Sequence, residues 1–115
     1  MKKILFTISF LIFSFASYCQ NWQWAERAGG TDQSFSEVDF VSGIKNDLQG
    51  NIFALGSFTQ NADFGSFTLA GNANHSQLFL AKLNQAGIFQ WVISTTGPGR
   101  VFAENIEIDD SSNIY

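Results

Sequence analysis

Cysteine occurs once in the 115 residues, at Cys19; proline occurs once, at Pro98, and histidine once, at His75. A single cysteine cannot form an intrachain disulfide, nor can it make a Cys-based zinc site. A single histidine cannot anchor a His-rich metal site, and a catalytic role would need partners of fixed geometry, with no second His available. Basic residues are scarce as well, with Lys+Arg at 6 against 10 Asp+Glu and a formal net charge of −4. Nucleic-acid binding depends on neutralising phosphates, so this balance argues against it. The length allows at most one small domain. What the chain does hold is 13 Phe, 3 Trp and 10 Gly, the material of short buried strands joined by tight turns.

The first twenty residues differ from the rest. Lys2 and Lys3 precede an apolar run from Ile4 to Ala16, and polar Gln20-Asn21 follows. A positive start and an apolar stretch of about 13 residues describe a secretory signal peptide, since a membrane span needs roughly 20. Cleavage after Cys19 puts Ser17 and Cys19 at the small-residue positions. Lipoprotein processing at Cys19 is the rival, and bulky Tyr18 just before the cysteine disfavours it. Residues 1–19 are therefore expected to leave as a signal, directing the chain to secretion or the outer cell surface. Loss of Lys2 and Lys3 leaves 4 basic residues against 10 acidic ones, a net charge of −6.

Beyond the signal, short apolar runs alternate with turn residues, which predicts an all-β fold. Strands are expected around Trp22 to Ala28 (stopped by Gly29-Gly30), from Val41 to Asn46-Asp47, and from Asn51 to Phe58. Others are expected as a short ribbon from Phe64 to Ala70, from Gln77 to Asn84, and from Ile88 to Thr95. The turn Asp47 to Asn51 offers Asp47 as a side-chain acceptor and Gly50 for a positive φ; Asn84 to Gly87 repeats that chemistry. Ile44 to Thr95 then reads as an antiparallel meander of roughly four strands. In Ile52–Leu55 and Leu78–Ala81 neighbouring residues are both apolar, so both faces of this sheet need packing partners. Gly56 and Ala54 are small residues at which another group can approach closely.

The sequence also repeats. Trp24 to Gly30 aligns with Trp91 to Gly97, each with Trp leading and Gly six positions on. Ile44 to Phe53 aligns with Ile106 to Tyr115, matching Asp47 with Asp109, Asn51 with Asn113, Ile52 with Ile114 and Phe53 with Tyr115. Periods of this size mark arrays and propellers, whose units cannot bury their faces alone. About one and a half units are expected: a strand at 22–30 belonging to another unit, one blade over 38–97, and the start of the next over 104–115. The remainder of the array is expected beyond Tyr115.

These residues resemble the bacterial seven-bladed β-propeller (SBBP) repeats of secreted Bacteroidota proteins. The resemblance runs from Trp22 to Tyr115 and rests on Trp24–Gly30, the Asp47–Asn51 turn, Asp63-Phe64-Gly65, and the Ala81-Lys82-Leu83 strand, in that order. Two departures concern turns: Ser76-Gln77 stands where such repeats carry Asp, and Ser112 stands where they carry Gly. The resemblance implies an N-terminal portion of a propeller with four-stranded antiparallel blades. It implies a non-catalytic, secreted or surface module for scaffolding, adhesion or binding, often attached to a type IX sorting domain. No cofactor is implied. The implied partners are an extracellular protein or glycan and further repeats of the same chain.

Asp47, Gly50, Asn51, Asp109 and Asn113 are read as structural turn residues. A calcium loop would need further ligands at fixed positions, and the match ends after the first ones. Trp24, Trp91, Phe53 and Phe79 are read as repeat-packing residues, although exposed Trp22, Trp24 and Trp91 would also suit sugar stacking. Lys82 is expected to lay its stem over apolar neighbours. His75 is read as a solvated loop residue, and Asn74-His75-Ser76 as a chance glycosylation pattern. Gly97 to Ala103 lacks the spacing of a phosphate loop. Adjacent Asp109 and Asp110 face opposite ways and cannot serve alone as a glycosidase pair. No catalytic, cofactor or metal residue is assigned. The alternative is a carbohydrate-binding or glycan-hydrolysing extracellular protein whose active residues lie outside these 115.

Overall fold

The computed structural model describes residues 23–30 and 39–115. The expected signal peptide, Cys19 and Trp22 lie outside the described residues. The described part is all-β, with antiparallel sheets and no helix. Its strands are β1 (Ala28–Gly30), β2 (Phe40–Asn46), β3 (Ile52–Phe58), β4 (Ala62–Phe64), β5 (Phe67–Leu69), β6 (Gln77–Leu83) and β7 (Phe89–Ser94).

Four of these form one sheet in the order β2-β3-β6-β7. Its register pairs Ala54 with Ile44 and Ala81, and Phe53 with Lys45 and Lys82. Antiparallel partners share a face, so the side chains divide cleanly. One face carries Ala54, Gly56, Phe58, Phe79, Ala81, Leu83 and Val92. The other carries Gly43, Lys45, Phe53, Leu55, Ser57, Leu80, Lys82, Trp91 and Ile93. The alternation in β6 is plain, with Gln77, Phe79, Ala81 and Leu83 buried and the residues between them half-buried.

The ribbon expected over Phe64–Ala70 is a hairpin, β4–β5, turned by Gly65-Ser66 with Gly65 at φ +61°. It does not extend the meander. It leaves β3 and joins β1 in a second sheet ordered β1-β4-β5. Phe64 from this hairpin is 1% exposed and meets Phe79 at 4.8 Å and Phe89 at 5.8 Å between ring centroids. Phe58, Ala62, Phe64, Phe79, Ala81 and Leu83 form the core, with Phe67 and Leu69 packed against it. The first face of the large sheet is thus covered from within the chain, by its own hairpin.

The strand expected over Trp22–Ala28 lies elsewhere. Residues 23–27 form no strand, and β1 consists of the supposed terminators, Gly29 and Gly30, with Ala28 before them. The reason is close approach. Gly30 N–H donates to the Asp39 carboxylate, and a Cβ on Gly30 would sit 2.9 Å from Asp39 Oδ2. The other Asp39 oxygen accepts from Thr59 N–H at 3.1 Å, so one carboxylate ties the two sheets together. Glycine serves this strand because a side chain would not fit beside Asp39. At Gly56 a Cβ would lie 2.2 Å from the Phe40 carbonyl and 2.6 Å from the Phe79 ring, beside the bulge at Ser42.

Candidate functional site

The turns that join β2 to β3 and β6 to β7 lie at the same end of the large sheet, and a third turn of the same kind sits beside them. In the first, Asp47 Oδ1 accepts from Gln49 N–H at 3.0 Å and Asn51 N–H at 2.8 Å, and Oδ2 accepts from the Asn51 amide at 2.8 Å. Gly50 N–H closes the turn on the Asp47 carbonyl, with φ +77° at Gly50. Around Asp109 the pattern recurs bond for bond. Ser111 N–H and Asn113 N–H donate to Oδ1, both at 2.9 Å, and the Asn113 amide donates to Oδ2 at 2.8 Å. Ser112 takes the glycine place at φ +61°, and its N–H closes on the Asp109 carbonyl. Asn84 does the same work in the β6–β7 turn, accepting from Ala86 and Ile88 N–H at 3.0 Å, with Gly87 at φ +79°. A residue with an oxygen acceptor, followed three positions later by a left-handed residue, defines all three.

The turns touch one another. Gln85 Nε2 donates to the Gln49 carbonyl at 2.8 Å, and Ser112 Oγ bonds Gln49 Oε1 at 3.2 Å. Trp24 Nε1 donates to the Gln85 carbonyl at 3.0 Å while its ring lies over Gly87, where a Cβ would be 2.4 Å from Cε3. Leu48 and Ile88 project from this end, largely exposed. Both oxygens of Asp47 and of Asp109 are turned into their own loops, so these carboxylates act as caps.

Their electrostatics follow from this. Burial pushes the Asp47 carboxyl up, but the Asn51 side chain, the Asn51 and Gln49 amides and the Lys82 charge outweigh it, and the net pKa falls below 3.8. Asp47 is 9% exposed. Asp109 is also lowered, first by the Asn113 side chain and backbone. The Tyr115 hydroxyl donates to Asp109 Oδ2 at 3.1 Å, and this bond raises the phenol above 10.0.

The segment after β7 crosses the second face of the large sheet. Ala103 N–H bonds Ser57 Oγ at 3.3 Å, and Ile106 is 2% exposed with its Cγ2 only 3.0 Å from where a Gly43 Cβ would stand. Lys45 Nζ meets Glu107 Oε2 at 3.0 Å. Glu107 and Tyr115 exchange backbone bonds of 3.1 and 2.9 Å, closing the Asp109 turn into a small hairpin with an Ile108–Ile114 bridge.

The expected packing residues occupy three places. Phe53 and Trp91 lie on the second face, edge to face at 6.0 Å, with Lys82 Nζ 5.2 Å from the Phe53 ring centre. Phe79 is on the opposite face, in the core. Trp24 sits on the β6–β7 turn. His75, expected in solvent, is half-buried, and its Nδ1 has no hydrogen-bond partner among the described residues. Sequence reasoning missed Gly43, Gln49, Gln85, Ala103 and Ile106, and only the alignment of Ile106 with Ile44 hinted at any of them.

A cavity of about 120 Å³ lies between β1 and the large sheet, lined by Ala28, Gly29, Asp39, Phe40, Val41, Phe58, Phe64 and Phe79. It is small against the roughly 300–1,000 Å³ of ligand pockets. Among the described residues no group of His, Cys, Asp and Glu stands together as a metal site, and no helix is long and apolar enough to cross a membrane. The chain matches no family model, no curated protein and no solved structure.

Proposed function

We propose that the chain is a non-catalytic, secreted or cell-surface β-propeller repeat module that scaffolds, adheres or binds an extracellular protein or glycan. The carrying observation is the duplicated Asp turn. The Asp109 turn repeats the hydrogen bonds of the Asp47 turn and lies against it, with the segment leading into it seated on the second face of the large sheet. Such face-on contact between consecutive units is how propeller blades stack. The order of the contacts supports the same reading: the segment around Trp24 meets the sheet from the side of β4–β5, and the segment around Ile106 meets it from the other. One unit thus lies between the end of an earlier one and the start of a later one. The turn carboxylates are spent on their own loops, which suits a structural part better than an acid–base pair.

The test is fractionation of cells producing the chain with a C-terminal epitope tag, followed by capture on immobilised cell-surface polysaccharide and protein. Recovery from the medium or the outer surface, with saturable capture and no turnover of the captured material, is the expected result. Retention in the cytoplasm, or release of cleaved sugar, overturns the reading.

A further inference from the structure

Between β7 and the segment that crosses the second face, the chain is held only at its two ends. Thr95 N–H bonds the Leu78 carbonyl and Val101 N–H bonds the Ser76 carbonyl, both at 3.0 Å, so these ends are fixed near the start of β6. Between them, Thr96 to Arg100 are exposed and make no hydrogen bond or ion pair with the described residues. Gly97 and Gly99 have nothing within 4 Å of their Cβ positions. Arg100 is the one Lys or Arg placed this way among the described residues. Lys45 lies in β2 and Lys82 in β6, where the peptide bonds that follow them belong to paired strands. Arg27 has its guanidinium on the Gly30 carbonyl at 3.2 Å, and Ala28 after it pairs with Phe64. An exposed tip of small residues without backbone bonds is where a protease obtains an extended substrate with the least local unfolding.

We propose that Arg100–Val101 is a cleavage site for a protease whose specificity pocket carries a carboxylate, and that the cut turns the joint before residues 101–115 from covalent to non-covalent. Such a pocket takes Arg or Lys on the acyl side of the scissile bond. Arg100 presents an unpaired guanidinium to it, and Gly99 adds no side chain that would obstruct the approach. One hydrogen bond, Val101 to Ser76, has to open to free the scissile peptide. Hydrolysis breaks the Arg100–Val101 C–N bond. At neutral pH the oxygen of the attacking water goes to the Arg100 carboxylate and both its protons to the Val101 ammonium. That ammonium still faces the Ser76 carbonyl, now as a charged donor, which makes the stronger bond. Ala103 on Ser57, Ile106 beside Gly43, and Glu107 on Lys45 are untouched by the cut. What is lost is the high effective concentration that the short tether supplied. The cut segment therefore stays on the sheet at high protein concentration and leaves on dilution. None of this depends on the repeat reading.

Brief digestion of the purified chain with trypsin, read by mass spectrometry, tests this. The piece 101–115 is expected before any product of cutting after Arg27, Lys45 or Lys82. Arg100→Gln should abolish that piece and Arg100→Lys should keep it, because the same pocket takes either cation. No cut after Arg100, a first cut after Arg27, Lys45 or Lys82, or similar rates at all four overturns the site. Size exclusion of the nicked chain, with the protease inhibited, reads the joint. The piece 101–115 is expected to travel with the rest when concentrated and to separate on dilution. It should separate sooner in Glu107→Lys, which sets two cations together. Separation of the nicked wild type at every concentration, or at none, overturns the non-covalent joint. Failure of either part leaves the secreted-module reading standing, since that reading is tested by location and capture.

Discussion

Lys45 and Glu107 occupy the same position of the repeat, and they meet as an ion pair at 3.0 Å. The two aligned segments, Ile44–Phe53 and Ile106–Tyr115, therefore lie side by side within one position of register. The same offset brings Gln49 to Ser112, one position from its counterpart, and Gly43 to Ile106. Identical charges at these two positions would face each other and repel. Lys45 opposite Glu107 turns that repulsion into attraction.

The pair predicts a modest coupling. Its side chains are 41% and 60% exposed, so a double-mutant cycle with Lys45→Ala and Glu107→Ala should give about 0.2–1 kcal/mol, fading in high salt. Reversing one charge should loosen the 101–115 segment, and reversing both should restore it. Hydrogen exchange at Ile106 and Glu107 reads the effect. Equal protection in all variants would show that the pair does not hold the segment.

Gly43 gives a sharper effect on the same contact. A valine there would drive its branches into Ile106, whose Cγ2 already lies 3.0 Å from the Cβ position. Gly43→Val should release the segment from Ala103 to Tyr115 to protease while exchange in β3 and β6 stays slow. Loss of protection throughout the large sheet would mean that the segment belongs to the core.

Much of the site was legible because turn chemistry is local. Asp47 with Gly50, and Asn84 with Gly87, announce their turns through residues within five positions of each other. Gly29 and Gly30 misled for a complementary reason: glycine reads as a strand breaker when its partner, Asp39, is distant in sequence. The departure of β4–β5 into a second sheet depends on Phe64 finding Phe79 and Phe89, and no local pattern encodes that choice. Ile106 gave no strand signal of its own, because its burial comes from a notch at Gly43.

Phe64 should be the costliest side chain to truncate. It is 1% exposed and joins the two sheets through its contacts with Phe79 and Phe89. Phe64→Ala is expected to cost about 3–5 kcal/mol, seen as an earlier midpoint in urea. Phe102→Ala, at an exposed site, should leave the midpoint within about 0.5 kcal/mol. Similar losses at the two sites would place the core elsewhere.

The two Asp turns differ at their left-handed position, Gly50 against Ser112, and this sets a pair of opposite outcomes. Ser112 is a non-glycine residue at φ +61°, a conformation that costs L-residues roughly 1–2 kcal/mol. Ser112→Gly should relieve part of that, offset by greater chain entropy when unfolded and by the lost bond to Gln49, for a net gain of at most about 1 kcal/mol. Gly50→Ser should destabilise by more than about 1 kcal/mol, because Gly50 stands at φ +77° and a Cβ there would also fall 2.9 Å from Gln85 Cγ. Chemical denaturation measures both. A loss from Ser112→Gly larger than that from Gly50→Ser would contradict the equivalence of the turns.

Acid and alkali should act on the turns from opposite sides. Asp47 and Asp109 have folded pKa values below 3.8, so their contribution to stability is complete above that value and is lost as pH falls through the lowered folded values. Tyr115 has a raised pKa, so its bond to Asp109 contributes fully below pH 10.0 and is lost as pH climbs through the raised folded value. Stability against urea should therefore be flat between these limits as far as the turns are concerned, with an acid limb below about pH 4 and an alkaline limb above pH 10.0. Asp109→Asn removes its share of the acid limb and lowers the phenol pKa of Tyr115 toward 10.0, because the charged acceptor is gone. Tyr115→Phe removes the Tyr115 share of the alkaline limb and leaves most of the acid limb in place. Asp47→Asn should shrink the acid limb without altering the alkaline one, since Tyr115 bonds Asp109. A phenol titration that ignores Asp109→Asn would mean that the hydroxyl does not engage the turn.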